Sequence, residues 1–143
     1  MTVKAILDTK GREVVTIAAD KTVHDAAALL GQHGIGAVVV TDGKERIAGI
    51  LSERDIVRAI AAEGAKALDQ PVSAFMTARV QVCREDHTVN EVMQIMTAGR
   101  FRHLPVEKDK RLAGIISIGD VVKRRIQEVE REAEDIRSYI ATA

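Results

Sequence analysis

Two hydroxyl–carboxylate pairs stand at the same spacing in this chain, Ser52 with Asp55 and Ser117 with Asp120. Each follows an apolar run entered through Ala-Gly: Ala48-Gly49-Ile50-Leu51 in the first copy and Ala113-Gly114-Ile115-Ile116 in the second. A Ser at a helix N-cap with an acidic residue three places on is a capping box, which satisfies orphan N–H groups and needs no ligand. The same geometry has a second use. A carboxylate in the first helical turn can accept both hydrogen bonds of a vicinal diol. The Ser hydroxyl and neighbouring N–H groups suit a phosphate at the positive end of the helix dipole. A ribose-phosphate uses both. The duplication, and Asp where Glu would reach back better to the cap, favour this second use.

The elements around each pair repeat as well, which marks an internal duplication. Glu13-Val14-Val15-Thr16-Ile17 reads as a strand. Thr22 then caps a helix with Asp25 at its third position, and Gly31 and Gly34 close it. Two apolar runs around Asp42-Gly43 predict a hairpin, and a helix follows from Asp55 to a stop near Gly64. The second half repeats the order. Val80-Gln81-Val82 is its predicted strand, Thr88 to Glu91 its capped helix start, and Phe101–Val106 with Leu112–Ile116 its hairpin. Residues 63–74 read as a linker. The fold class is α+β: two β-α-β-β-α repeats paired about a pseudo-two-fold axis, with helices outside the sheets. The expected boundaries are 1–66 for the first repeat, 67–124 for the second, and 125–143 for an extension of the C-terminal helix.

With its flanks included, the chain resembles the CBS domain pair, or Bateman module, from about Lys4 to Val122. The resemblance rests on Gly49-Ile50-Leu51-Ser52-Glu53-Arg54-Asp55 and Gly114-Ile115-Ile116-Ser117-Ile118-Gly119-Asp120. Arg102-His103-Leu104-Pro105-Val106 and Met76-Thr77 match too. It implies a non-catalytic module that holds an adenosine ligand between its repeats: AMP foremost, with NAD(H) or ATP as alternatives and S-adenosylmethionine within the family's range. Carried over by position, Asp55 and Asp120 would each hold a ribose diol, with Ser52 and Ser117 near phosphate. Adenine would lie between the segments around Thr16-Ile17 and Val80, and those around Ile35-Gly36-Ala37 and Phe101. Arg102 and His103 match the family's basic pair near the two-fold axis, and Thr77, Lys10 and Arg54 are further phosphate candidates. Gly36-Ala37 take the places of Arg102-His103, so the two sites are expected to differ, with room beside Gly36 and Ala37 for a longer ligand such as a dinucleotide.

Composition narrows the alternatives. Among 143 residues, 21 Lys and Arg balance 21 Asp and Glu, which disfavours a nucleic-acid partner that needs a basic surface. Phe75, Phe101 and Tyr139 are the only aromatics, too few for a base-stacking platform. Cys83 stands alone, and no secretory leader or membrane-length apolar run is legible, so a cytoplasmic location without membrane contact is expected. Gly34-Ile35-Gly36 lacks the third glycine of a dinucleotide fingerprint and follows a helix, not a strand. Cys83 and His87 have no third catalytic partner, and His24, His33, His87 and His103 match no metal-site spacing. No P-loop or carboxylate cluster appears. The expectation is therefore a regulatory nucleotide sensor, not an enzyme, with no metal and with an unnamed effector protein as its output. The alternative is a ligand-free dimerisation or protein-interaction module whose Ser-x-x-Asp motifs only cap helices.

One further pattern lies beyond the repeats. Val122, Ile126, Val129, Ala133, Ile136 and Ile140 recur at alternating four- and three-residue steps, a heptad seam. Two readings stay open: a helix lying along its own domain, or a short coiled coil that assists a homodimer.

Overall fold

A computed structural model describes residues 1–142. The first repeat carries a three-stranded sheet of β1 (Thr16–Ala18), β2 (Ala37–Thr41) and β3 (Ile47–Ser52). β1 runs parallel to β2 and β2 antiparallel to β3. Helix α2 (Val23–His33) joins β1 to β2, and α3 (Glu53–Glu63) follows β3 directly. In the second repeat, α4 (Val89–Gly99) precedes the antiparallel pair β4 (His103–Lys108) and β5 (Arg111–Ser117), and α5 (Ile118–Thr142) follows. The repeat is visible in the registers. Ala37 pairs with Ser52 as His103 pairs with Ser117, and each hairpin shifts register at the same point, after Val40 and after Val106. The helix starts also behave alike. Thr22, Ser52 and Thr88 all form complete capping boxes, with Asp25, Asp55 and Glu91.

Four local expectations change. The strand predicted at Val80-Gln81-Val82 does not form; in its place Cys83 makes a single parallel bridge to Val106. The chain turns immediately afterwards, with the Arg84 N–H donating to His87 Nδ1 at 2.8 Å and the His87 N–H to the Arg84 carbonyl at 3.1 Å. That turn ends the pairing on the far side of Cys83. Gly31 lies inside α2, and Gly34, at φ 62°, ends it in the left-handed region. The first hairpin turns through Asp42 to Glu45, with Glu45 and not Gly43 at positive φ and Asp42 Oδ1 accepting from the Lys44 and Arg46 N–H groups. An unanticipated helix, α1 (Val3–Lys10), opens the chain.

Each repeat has its own apolar core, and the two cores borrow from outside their repeats. Ile17, Val23, Leu30, Val38, Val40, Leu51 and Ile56 of the first repeat pack with Val72 from the connecting segment, which forms two 3₁₀ turns (Gly64–Asp69 and Val72–Ala74). Val89, Val92, Met96, Leu104, Val106 and Ile116 of the second pack with Val3, Ile6 and Leu7 of α1. The N-terminal helix thus completes the second repeat's core. The glycines that open the two motifs have matching reasons. A Cβ at Gly49 would lie 2.6 Å from Met76 Sδ, and one at Gly114 would lie 2.9 Å from Leu7 Cδ2. Each glycine therefore admits the segment that caps its sheet.

α5 does not lie with its apolar seam on the domain. Val121 is its buried residue, while the seam residues Val122, Ile126, Val129, Ile136 and Ile140 are exposed. The reading in which the seam packs along its own domain is thereby overturned.

Candidate functional site

The β3–α3 junction places Ser52 and Asp55 at the edge of a cavity of about 390 Å³ between the repeats. Ser52 is the N-cap of α3, and its backbone N–H and hydroxyl both donate to Asp55 Oδ2, at 2.9 and 3.0 Å. Among the described residues no protein donor bonds Asp55 Oδ1, so half of this carboxylate stays available at the cavity edge. Opposite stand Thr77, Val80 and Gln81, and the Gly99–His103 segment between α4 and β4. Thr77 is fixed by a two-way backbone bridge to Ile50, at 2.9 and 3.0 Å.

Positive charge dominates this cavity. Arg54, Arg58, Arg79, Arg100 and Arg102 line it against two carboxylates, those of Glu53 and Asp55. Arg54 Nη1 donates to the Arg100 carbonyl at 3.3 Å, which ties α3 to the second repeat. Among the described residues, none of the five forms an ion pair with a carboxylate, although Arg12, Arg84 and Arg125 elsewhere do. Guanidinium groups gathered in excess over carboxylates and free of ion pairs are suited to phosphate, which they bind through paired N–H donors. His103 sits at the inner end. Burial pushes its imidazole below the ordinary histidine value, a shift opposed by the Glu53 and Asp120 charges and reinforced by Lys10 and Arg102.

The second motif is built alike but occupied differently. The Ser117 N–H donates to Asp120 Oδ2 at 2.9 Å and the Asp120 N–H to Ser117 Oγ at 3.2 Å, the same capping geometry. Here, however, Lys10 Nζ at the end of α1 donates to Asp120 Oδ2 at 2.8 Å and to the Ile115 carbonyl at 3.0 Å. Burial raises the Asp120 carboxyl, but Lys10 and the Ser117 N–H outweigh it and hold the group below the usual carboxylate range. The protein's own ammonium thus shares Asp120 Oδ2 with the cap N–H, while among the described residues Asp120 Oδ1, like Asp55 Oδ1, has no protein donor.

A family model described as "CBS domain" matches residues 3–62 and again 72–126. The chain belongs to the CBS domain family. A CBS-domain-containing protein of Agrobacterium tumefaciens is 54% identical to it, covering 87% of this chain and 99% of its own, with a TM-score of 0.85. A CBS domain pair solved with 5′-methylthioadenosine and S-adenosyl-L-methionine is 25% identical, covers 90% of this chain and 98% of its own, and has a TM-score of 0.80. A CBS domain protein of Pyrobaculum aerophilum complexed with AMP is 27% identical over 84% of this chain and 89% of its own, at a TM-score of 0.74.

The CBS architecture brings Ser52, Arg54, Asp55, Gly36, Thr77, Val80, Phe101, Arg102 and His103 around one cavity. Ser117, Asp120, Lys10, Thr16, Ile17, Ile35 and Ala37 do not line it. Ile17 turns its side chain into the first core, Ile35 packs against that core, Ala37 is buried at the start of β2, and Thr16 is exposed on β1. The room expected beside Gly36 is narrowed by His103, because a Cβ there would lie 3.0 Å from His103 Cε1, while Gly36 still lines the cavity. The small residue of one repeat makes space for the imidazole of the other. The correspondence of Gly36 with Arg102 does hold: the Glu53 N–H bonds the Gly36 carbonyl as the Ile118 N–H bonds that of Arg102.

Arg58, Arg79 and Arg100 are cavity residues that the sequence reading passed over. Each had a signal. Arg58 lies one turn beyond Arg54 on α3, Arg79 two places after Thr77, and Arg100 two before Arg102. The Cys83–His87 pair carries no chemistry, since Cys83 is buried with its thiol pushed up to about 12 and His87 Nδ1 is taken by the Arg84 N–H. Among the described residues no cluster of three His, Cys, Asp or Glu could hold a metal ion, and no helix is long and apolar enough to cross a membrane.

Proposed function

We propose that this CBS pair is a non-catalytic regulatory module that binds an adenine nucleotide, AMP foremost, in the cavity at Asp55. The observation that carries the reading is one unpaired carboxylate oxygen on Asp55 facing a cavity with five unpaired arginines. Asp55 Oδ1 accepts from the ribose diol while the arginines and Thr77 hold phosphate. The related structures with AMP and with 5′-methylthioadenosine and S-adenosyl-L-methionine support the adenosine class. The cavity walls come from both repeats, so a ligand that touches Asp55 and Arg102 together ties one repeat to the other. A nucleotide that prefers this tied arrangement shifts the population toward it, and an effector protein that reads the shape responds.

The Asp120 region forms a second, weaker site, where a ligand diol competes with Lys10. ATP and NAD(H) are the competing ligands for both places. A homodimer and a cytoplasmic location complete the reading.

The test is calorimetry on the full chain with AMP, ATP and NAD+, beside native mass spectrometry of protein purified without added nucleotide. Saturable binding of AMP, reduced about 10- to 100-fold by Asp55→Asn at unchanged helical content, is the expected result for a lost charge-assisted bond. The competing reading, in which Ser52 and Asp55 are only a helix cap, expects no binding by any nucleotide and a loss of about 1 kcal/mol of stability from Asp55→Ala.

A further inference from the structure

The face of α5 that carries Val122, Ile126, Val129, Ala133, Ile136 and Ile140 has no packing partner among the described residues. The five large residues of the seam are between 42% and 68% exposed. Contacts with the rest of the molecule use another side of the helix. There Val121 is buried, Arg124 reaches the Met1 sulfur at 3.2 Å, and Glu128 meets the Met1 amino group at 3.6 Å.

The charges beside the seam say what covers it. With the apolar residues at positions a and d of a heptad, Arg125 and Glu132 fall at g, and Lys123, Glu130 and Arg137 at e. In a parallel, in-register pair each g residue faces the e residue five places further along the other helix. Arg125 then meets Glu130 of the second copy and Glu132 meets Arg137, each contact made twice by symmetry. Antiparallel stacking of the same layers sets Val122 against Ile140, Ile126 against Ile136, and Val129 against Ala133. It also brings Glu130 beside Glu130, Glu132 beside Glu132, and Lys123 beside Arg137. Every ionic neighbour is then of like sign, a built-in penalty on that arrangement.

We propose that α5 pairs with α5 of a second copy of this chain as a parallel, in-register coiled coil. The inference rests on the homodimer reading above and adds its orientation and the surface that sets it. The seam spans fewer than three heptads, so the pairing is a property of the whole protein and not of the isolated helix. Both nucleotide cavities of the dimer then lie on equivalent sides of one two-fold axis that runs along the paired helices.

Sedimentation of the full chain, together with oxidative cross-linking of a single added cysteine, tests this. Native Cys83 is buried and stays silent in the assay. Ile140→Cys is expected to form a disulfide dimer efficiently, because position a of one helix meets position a of the other. A mixture of Val122→Cys and Ile140→Cys proteins is expected to give no 122–140 cross-link. Glu132→Arg is expected to weaken the dimer about tenfold, and Glu132→Arg with Arg137→Glu to restore it. A dimer that cross-links 122 to 140, one that cross-links at neither, or one indifferent to Glu132→Arg overturns the inference while sparing the homodimer. A monomer at micromolar concentration overturns both.

Discussion

The two Ser-x-x-Asp junctions share a backbone and differ in what meets their carboxylates. At the first, Asp55 keeps one oxygen for the cavity, and the neighbouring strand edge is closed by the Thr77 backbone bridged to Ile50. At the second, the carbonyl of Ile115, in the place of Ile50, is taken by Lys10 Nζ, which also holds Asp120. One residue from outside the duplicated motif gives the second carboxylate a cationic partner on the oxygen its cap already uses, a partner the first carboxylate lacks. Duplication has preserved the scaffold of strand register, bulge and cap. The chemistry diverged through the segments that lie against it.

The largest effect that separates the junctions is on ligand affinity. Asp55→Asn is expected to remove the tighter AMP-binding event, whereas Asp120→Asn leaves it within about twofold, both read by calorimetry. Equal losses from the two variants would erase the distinction. Next comes packing. Gly49→Ala drives a methyl against Met76 Sδ and the Thr77 carbonyl, at 2.6 and 2.8 Å, so backbone at the cavity must move. Gly114→Ala meets only the end of the Leu7 side chain, at 2.9 and 3.0 Å, and a rotamer change relieves it. Gly49→Ala is expected to cost about 1–3 kcal/mol and Gly114→Ala less, measured by urea unfolding.

Smaller still is the exchange at Lys10. Lys10→Met is expected to raise affinity at the weaker site by about tenfold and to leave the tighter site alone, in the same calorimetric titration. Its electrostatic counterpart is the smallest effect. Asp120 is held below the usual carboxylate range in the folded protein, so its contribution is complete above the unfolded carboxyl's pKa and fades as pH falls through the lowered folded value. Without nucleotide, the stability difference between the native protein and Asp120→Asn should be at most about 1 kcal/mol near neutrality, given the partial exposure of both partners. It should fade as acidification carries the pH below the unfolded carboxyl's pKa.

Local signals in the chain were readable where the physics is local. The boxes Thr22–Asp25 and Thr88–Glu91, the hairpins, and the equivalence of Gly36 with Arg102 follow from residues within one turn or one register of each other. The misses depend on distance along the chain. Nothing near Lys10 announces that it meets Asp120, 110 positions away. Nothing in Val80-Gln81-Val82 shows that pairing with β4 is left to Cys83 while Val80 and Gln81 line the cavity between the repeats. The site was legible for the same reason in part: Ser52, Asp55, Arg102 and His103 sit in motifs, while Arg58, Arg79 and Arg100 converge only when the repeats meet.

The docking of α1 on the second core has a consequence for how the molecule is made. Val3, Ile6 and Leu7 leave the ribosome well before the residues they pack against, Leu104 and Ile116 among them. The first repeat has its strands, α2, α3 and Val72 in hand before any of the second repeat's helix or strands has emerged. The second must wait for a contact of nearly the longest sequence separation available, the kind that slows folding most. Helix α1 therefore acts as a clasp that closes after the second repeat has been made, and it carries Lys10 to Asp120 as it shuts.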